Sequence, residues 1–561
     1  MFDHKHHQTL IQQIKEILRK TIINYTDVID TYRIDINKIN IDVNRTKDLK
    51  FGDYASSVVL SLNLVLDESL RIANLIATNL PKKIFKKVTV VPPGFINMEL
   101  NQECNARIIG QIIKEQNNFG QFRPQKLFYN IEFVSANPTG LLHVGHARNA
   151  AIGDSLCRIW QTYGIAVNRE YYVNDGGNQI AKLALSVFIR YLQLFDKSVS
   201  LPEDGYHGEE IIDIAKVIKS KNNDKFINVN YDLTKTISDD EVNNFFSNFS
   251  KDYLLDIIKN DLKNFGVHFD IWFNESTIYD KKLIPLTLDL VKKHIYQKDG
   301  ATWLKTTPYG DDKDRVLVKS DGTNTYFLPD IAYHNVKLSR GYDKIFNIWG
   351  ADHKSYADRM AIAIELLGYQ KQQFNVLIMQ MVKLTQNGQE LKMSKRSGTS
   401  LTMRDLIDKI GKDAARWYLV SQAITTHLDI DVDRAVAKSN NNPIYYVQYA
   451  HARINQLINK VSYKQPQNYN LLTTPHEREL INQLHYFKHT IEMVSKNYEV
   501  NKMTLYLTNL AKTFHAFYAN NKIIDPQKLE LSTQRYFLAM AVKQIIANGL
   551  KLLGITPINQ M

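Results

Sequence analysis

Between residues 127 and 410, short runs of β-branched and aromatic residues alternate with stretches whose apolar positions recur at helical spacing. Strand-like runs occupy 127–134, 166–173, 315–318, 345–349 and 374–381. Helical patterns occupy 143–163, 360–367 and 403–410. A chain that alternates in this way has few options, and the pattern predicts a parallel sheet wrapped by helices. A polar, Asn- and Lys-rich stretch around 219–248 interrupts it and reads as part of an insertion covering about 176–300. Upstream, an amphipathic helix at 10–23 and a β-branched run at 88–91 predict a small α+β domain, with turns at Gly52-Asp53-Tyr54-Ala55 and Pro93-Gly94-Phe95-Ile96. Beyond Asn442 the Gly and Pro punctuation thins, and helical patterns at 445–460, 476–497, 503–520 and 533–553 predict an all-α bundle. The expected domains are 1–110, 111–435 and 436–561.

The 561 residues are too many for one core. With 44% hydrophobic and 23% charged residues, the composition is that of an ordinary soluble protein. No apolar run reaches bilayer length, and the amino terminus lacks an apolar segment with a small-residue cleavage site. Cys104 and Cys157 alone build neither a disulfide framework nor a structural zinc site, so a reducing cytoplasm is the expected compartment, with no membrane partner. The formal charge of +12 permits a polyanionic partner without requiring one. His4, His6 and His7 lack carboxylate or thiol neighbours and read as a solvated tail, so no metal site is assigned. Trp160, Trp272 and Trp417 sit in apolar patterns and read as core.

Two segments carry chemistry. Ser135-Ala136-Asn137-Pro138-Thr139-Gly140-Leu141-Leu142-His143-Val144-Gly145-His146 joins a predicted strand to the first turn of a predicted helix. Free N–H groups and the helix dipole favour phosphate there. His143 and His146, three apart, share one helix face and can donate to an α-phosphate as charge builds on it. Gly145 removes a side chain where an adenine could lie against the backbone. The second segment, Lys392-Met393-Ser394-Lys395-Arg396-Ser397-Gly398-Thr399, is a basic loop suited to triphosphate, its ammonium groups acting as point charges on a departing pyrophosphate.

Together these segments resemble the HIGH and KMSKS signatures of class I aminoacyl-tRNA synthetases, with Val144 for the usual isoleucine and Arg396 for the last serine. Further stretches resemble the arginyl-tRNA synthetase family: Ile131-Glu132-Phe133-Val134-Ser135-Ala136-Asn137-Pro138-Thr139-Gly140, Asp311-Asp312-Lys313-Asp314-Arg315-Val316, Trp349-Gly350-Ala351-Asp352-His353, 442–453 and the carboxy-terminal 546–561. The resemblance runs over essentially the whole chain. It implies a Rossmann-type catalytic domain, an amino-terminal domain at the tRNA elbow and a carboxy-terminal domain at the anticodon.

Chemistry asks independently for carboxylates, because a planar guanidinium pairs best with planar acceptors. Glu132 and Asp330 are the candidates, although Asp330 beside Pro329 also reads as a helix cap. The resemblance gives Glu132, Tyr326 and Asp330 to the arginine side chain, and Ser135 and Asn137 to its α-amino and carboxylate end. It gives His143, Gly145, His146, Gly350, Asp352, His353, Met393 and Ser394 to ATP, with Lys392 and Lys395 closing over pyrophosphate. ATP enters as substrate with Mg²⁺ on its phosphates, and L-arginine and tRNA(Arg) are the partners of an expected monomer. The alternatives are a class I synthetase for another amino acid and a non-catalytic tRNA-binding relative. Tyr445, Tyr446 and Tyr449 suit either base stacking or bundle packing.

Overall fold

The computed structural model describes residues 8–24, 39–46, 48–233, 237–391 and 401–561. The chain divides into two compact units: Met1–Pro124, Thr162–Gly164 and Lys438–Met561 form one, and Gln125–Gln161 with Ile165–Ala437 the other.

In the first unit, helix Leu10–Ile23 opens on a capping box in which Thr9 and Gln12 satisfy each other's backbone N–H groups. Four strands follow: β1 (Asn44–Arg45), β2 (Tyr54–Ser56), β3 (Phe85–Val91) and β4 (Phe95–Leu100). They form an antiparallel sheet ordered β1-β2-β4-β3. Helices Leu10–Ile23 and Leu66–Asn79 bury Ile14, Leu18, Ile72 and Ile76 in the same core as Ile96 and Met98 of the sheet. Gly52, at φ +89, has a physical reason to be glycine: an added Cβ would lie 2.7 Å from the Met98 carbonyl oxygen. The neighbouring Asp53 is buried and accepts from Leu100 N (2.7 Å) and Asn482 Nδ2 (2.7 Å), with Arg478 at 3.3 Å. The predicted turn is therefore also a joint between the sheet and helix Pro475–Asn497. That helix, with Pro443–Ile458, Asn501–Asn520 and Leu529–Leu552, makes the predicted all-α region. On it Tyr445 stacks on Tyr449, and Tyr446 and Tyr449 both meet the His515 ring.

The second unit holds β5 (Phe128–Glu132), β6 (Ala166–Val173) and β7 (Ile271–Asn274), then β8 (Ile295–Lys298), β9 (Ala301–Leu304) and β10 (Arg315–Val318). After these come β11 (Lys344–Gly350), β12 (Phe374–Met379), β13 (Val382–Gln386), β14 (Gln389–Glu390) and β15 (Leu428–Asp431). The main sheet is wholly parallel and ordered β12-β11-β5-β6-β7. Its first strand, β5, lies at the centre. Later strands go to one side as β6 and β7 and to the other as β11 and β12, so the winding reverses between β5 and β11. This is the Rossmann-type arrangement, and such a reversal opens a crevice at the carboxyl ends of the strands.

Two sequence expectations change. The run at 315–318 is a strand, but it pairs antiparallel with β9 in a separate three-stranded sheet. Asp311 and Asp312 just before it both ion-pair with Arg315, while Asp314 accepts from Thr306 N and Thr307 N, which makes that stretch a hairpin staple. The stretch 176–300 is also more than an insertion. Helices Gly177–Gln193, Glu209–Asn222 and Asp240–Asn264 pack a core of their own, but β7 inside that stretch completes the main sheet. At four residues, β7 is too short to stand out from its polar surroundings. Trp160 and Trp417 are fully buried, whereas Trp272 is half-buried and stacks on Tyr171. Among the described residues no helix is long and apolar enough to cross a membrane.

Candidate active site

At the carboxyl end of β5 the backbone turns through Val134 (φ +67) and Ser135 (φ +40). A β-branched residue in the left-handed region costs on the order of 1–3 kcal/mol and persists only where neighbours over-determine it. Here Val134 N donates to Asn149 Oδ1 at 2.9 Å, and Asn149 Nδ2 donates to the Ile348 carbonyl of β11 at 3.1 Å. One amide thus ties the strained turn to the neighbouring strand across the reversal point. Gly153 keeps helix Val144–Thr162 against this strand end, since a Cβ there would overlap the Phe133 ring at 2.4 Å.

The start of that helix is capped by its own histidines. His143 Nδ1 accepts from Gly145 N (3.0 Å) and His146 N (3.3 Å), and His146 Nδ1 accepts from His143 N (3.3 Å). This is a capping box built from two imidazoles. Each Nδ1 must be unprotonated to accept, so each proton sits on Nε2. The two rings stack at 3.6 Å, a contact that two imidazolium ions would oppose. Gly145 is required by the cap itself: a Cβ would lie 2.9 Å from His143 Cε1. His143 also bridges antiparallel to Thr402, with Val144 N donating to Leu401 O and Met403 N to Leu142 O. The residues just after 392–400 are thereby fixed to the histidine turn. Lys392, Met393, Ser394 and Lys395 lie outside the described residues, as do His4, His6 and His7.

Across the crevice, helix Phe327–Ser339 presents Asp330, His334 and Lys337 at three- and four-residue spacing on one face. Strand register sets Asn347 of β11 beside Glu132 of β5. Lys337, fully buried, donates to Glu132 Oε2 (2.9 Å) and Asn347 Oδ1 (3.0 Å). Asn347 Nδ2 donates to His334 Nε2 (2.9 Å) and Glu132 Oε2 (3.3 Å), and His334 Nδ1 donates to the Asp330 carbonyl (2.8 Å). Burial drags His334 down to about 4, with Lys337 adding to the effect, so the ring is neutral near pH 7. Burial would raise the Glu132 carboxyl, but the Lys337 ammonium outweighs it and holds Glu132 below the usual range. Asp330 is the opposite case. Burial pushes it up to about 7; the Tyr356 hydroxyl that donates to it offsets this only in part, and Glu132 and Glu275 raise it further. Burial also raises Glu275, whose partner is the Tyr172 hydroxyl. No side chain of Asp330 or Glu275 forms an ion pair among the described residues. Asp330 is not a helix cap, since the helix start makes no side-chain cap bond.

These groups share a cavity of about 900 Å³ lined by Glu132, Ser135, His143, Gly145, His146, Asp330, Gly350, Asp352 and His353 among others. Gly350 makes room for the Asp352 carboxylate, which a Cβ would meet at 2.6 Å, and Asp352 faces His353 Nε2 at 3.4 Å. Ser135 Oγ is spent within the protein, donating to Glu132 Oε1 and accepting from Tyr172 N, both at 3.0 Å. Asn137 lines an adjoining cavity of about 1000 Å³ that also touches His143 and His146, and its amide donates to Gln179 Oε1 at 2.6 Å. Tyr326 lines neither cavity. As the residue flanking the start of its helix it is 88% exposed, so this conformation gives no support to contact with a substrate side chain. Sequence reasoning missed Lys337, His334, Asn347, Tyr356 and Glu275. The only signal available was the spacing of Asp330, His334 and Lys337 on one face.

Three family matches tile the chain: "Arginyl tRNA synthetase N terminal domain" over residues 8–100, "tRNA synthetases class I (R), catalytic domain" over 109–460 and "DALR anticodon binding domain" over 447–561. An arginine–tRNA ligase of Malacoplasma penetrans is 47% identical over 98% of both chains. One from Ureaplasma parvum is 46% identical over 94% of this chain and 96% of its own. The structure of the Thermus thermophilus arginyl-tRNA synthetase covers 98% of this chain and 100% of its own with a TM-score of 0.77 at 19% identity, a likeness of fold. A histidine-capped helix start at the sheet's reversal point, a cavity beside it that holds Glu132 and Asp330, and matches along the full length agree: the chain belongs to the arginyl-tRNA synthetase family of class I aminoacyl-tRNA synthetases, with the activity of an arginine–tRNA ligase.

Proposed function

We propose that arginine and ATP meet in the cavity at the sheet's reversal point, the guanidinium toward Asp330 and Glu132 and the α-phosphate toward the histidine cap. The single observation that carries this reading is a half-buried Asp330 on the cavity wall that forms no ion pair among the described residues, in the same cavity as the helix start capped by His143 and His146. A carboxylate left in that state favours a cation that brings several planar donors.

In this reading the Nε2–H groups of His143 and His146, with the N-terminal end of the helix, steady the α-phosphate as the arginine carboxylate attacks it. Gly145, Gly350, Asp352 and His353 hold the nucleoside, with Met393 and Ser394 assigned to ATP through the family. Lys392 and Lys395 draw off pyrophosphate. Ser135 orients Glu132, and with Asn137 it faces the amino-acid head group. No side chain acts as a nucleophile; positioning and charge stabilisation supply the rate. A terminal ribose hydroxyl of tRNA then attacks the adenylate carbonyl. Mg²⁺ enters as part of the ATP substrate, held by its phosphates. We assign residues 1–110 to the tRNA elbow, 111–435 to catalysis and 436–561 to the anticodon of tRNA(Arg), in a monomeric cytoplasmic enzyme.

The test is tRNA-dependent ATP–pyrophosphate exchange with each of the twenty amino acids. Exchange with arginine alone is expected, and strong exchange with lysine or a neutral amino acid would overturn the carboxylate reading.

A further inference from the structure

Glu132 is not offered to the cavity as an unanswered charge. Both of its oxygens are engaged: Oε1 accepts from Ser135 Oγ at 3.0 Å, and Oε2 from Lys337 Nζ at 2.9 Å and Asn347 Nδ2 at 3.3 Å. Lys337 has no solvent contact, and its Nζ also lies 4.9 Å from the Tyr333 ring centre. Seven residues earlier on the same helix, Asp330 has the Tyr356 hydroxyl as its side-chain partner and forms no ion pair among the described residues. Among the described residues, Lys337 is the buried cation that pairs with a carboxylate of this cavity, and its partner is Glu132.

We propose that Lys337 is a positioning residue that sets the charge balance of the amino-acid pocket: by neutralising Glu132 and locking its orientation, it leaves Asp330 as the carboxylate that must take the substrate's charge. The proposal rests on the reading of this cavity as the arginine pocket. Its physics is that of buried ion pairs. An ammonium and a carboxylate out of water are tolerable as a pair, and removing either leaves the other uncompensated. Without Lys337, Glu132 either takes up a proton or turns toward the incoming guanidinium, drawing it away from Asp330. Lys337 does not touch the reacting atoms. Its effect falls on arginine and not on ATP, because the Gly350–His353 turn and the histidine cap share no hydrogen bond with it among the described residues.

The experiment is steady-state aminoacylation by the full-length chain carrying Lys337→Met, Glu132→Gln, or both. Lys337→Met is expected to raise the KM for arginine by about tenfold or more, roughly the loss of one charge-assisted contact, while the KM for ATP stays within about twofold. The double variant restores a neutral pair of similar shape, so its arginine KM is expected to fall back toward that of Glu132→Gln alone. A double variant as impaired as Lys337→Met, or more so, overturns the proposal. If Lys337→Met does not fold, the comparison of the double variant with Glu132→Gln still decides: equal arginine KM values support charge neutralisation, and a further tenfold loss refutes it.

Discussion

Two aspartates in the same α/β unit are provisioned in opposite ways. Asp154, on the helix that follows the histidine turn, is fully buried among three guanidiniums: Arg416 at 2.6 Å, Arg158 at 2.7 Å and Arg169 at 3.8 Å. Arg416 and Arg158 also donate to the carbonyls of Phe265 and Gly266, so this cluster binds helix, sheet and following loop together. Burial works against the Asp154 charge, but Arg416 and Arg158 keep its carboxyl below the ordinary range. Asp330 is half-buried on the cavity wall with the Tyr356 hydroxyl as its side-chain partner; desolvation, Glu132 and Glu275 outweigh the opposing Lys337 and push its carboxyl up to about 7. The fold oversupplies cations where a carboxylate serves structure. It gives Asp330, on the cavity wall, no ion pair among the described residues.

Asp154→Asn should show the largest effect, because it leaves Arg416 and Arg169 buried without their counter-charge. A loss of about 3–5 kcal/mol in denaturant unfolding is expected, and a loss below about 1 kcal/mol would dissolve the contrast. Asp330→Asn should do the reverse. It removes an unpaired charge, so stability should hold to within about 1 kcal/mol. Its arginine KM should nonetheless rise about 100-fold with little change for ATP. Equal rises in both KM values would make Asp330 merely structural.

Next comes pH. A guanidinium paired with Asp330 as proposed needs the ionised form, and desolvation pushes that carboxyl up to about 7. Arginine binding must therefore expel a proton at lower pH, and the arginine KM should climb by up to about tenfold for each unit below that pKa, levelling off above it. A flat profile through neutrality would show that another group carries the charge. The smallest effect belongs to Tyr356→Phe. Loss of the donated hydrogen bond leaves the Asp330 carboxylate less stabilised, so the midpoint of that profile should move upward, by about one unit at most. A downward shift would contradict the bond's direction.

How far the sequence reveals this site follows from locality. The helix after β5, the helical bundle and the histidine turn are written in residues within one or two turns of each other. Glu132 and Asp330 could be named because guanidinium chemistry demands carboxylates and the family supplies positions. Lys337 could not be named, because its meeting with Glu132 depends on the register of β5 against β11 and on which sheet face the helix Phe327–Ser339 covers. β7 was hidden by its four-residue length, and 315–318 has the composition of a strand without any mark of its antiparallel partner. The histidine cap escaped notice for a chemical reason: caps are looked for as Ser, Thr, Asp or Asn, whereas here the imidazole itself accepts the helix N–H groups.

That cap divides each of the two rings, with Nδ1 holding the helix start and Nε2 carrying the proton. Few side chains can substitute. Lysine and arginine donate but cannot accept, so they would leave the first turn uncapped; aspartate caps but would meet a phosphate with its own negative charge. An asparagine can accept and donate, yet it is shorter than an imidazole. Positions 143 and 146 should therefore tolerate almost no replacement in a library selected for activity, even by residues that bind phosphate well elsewhere.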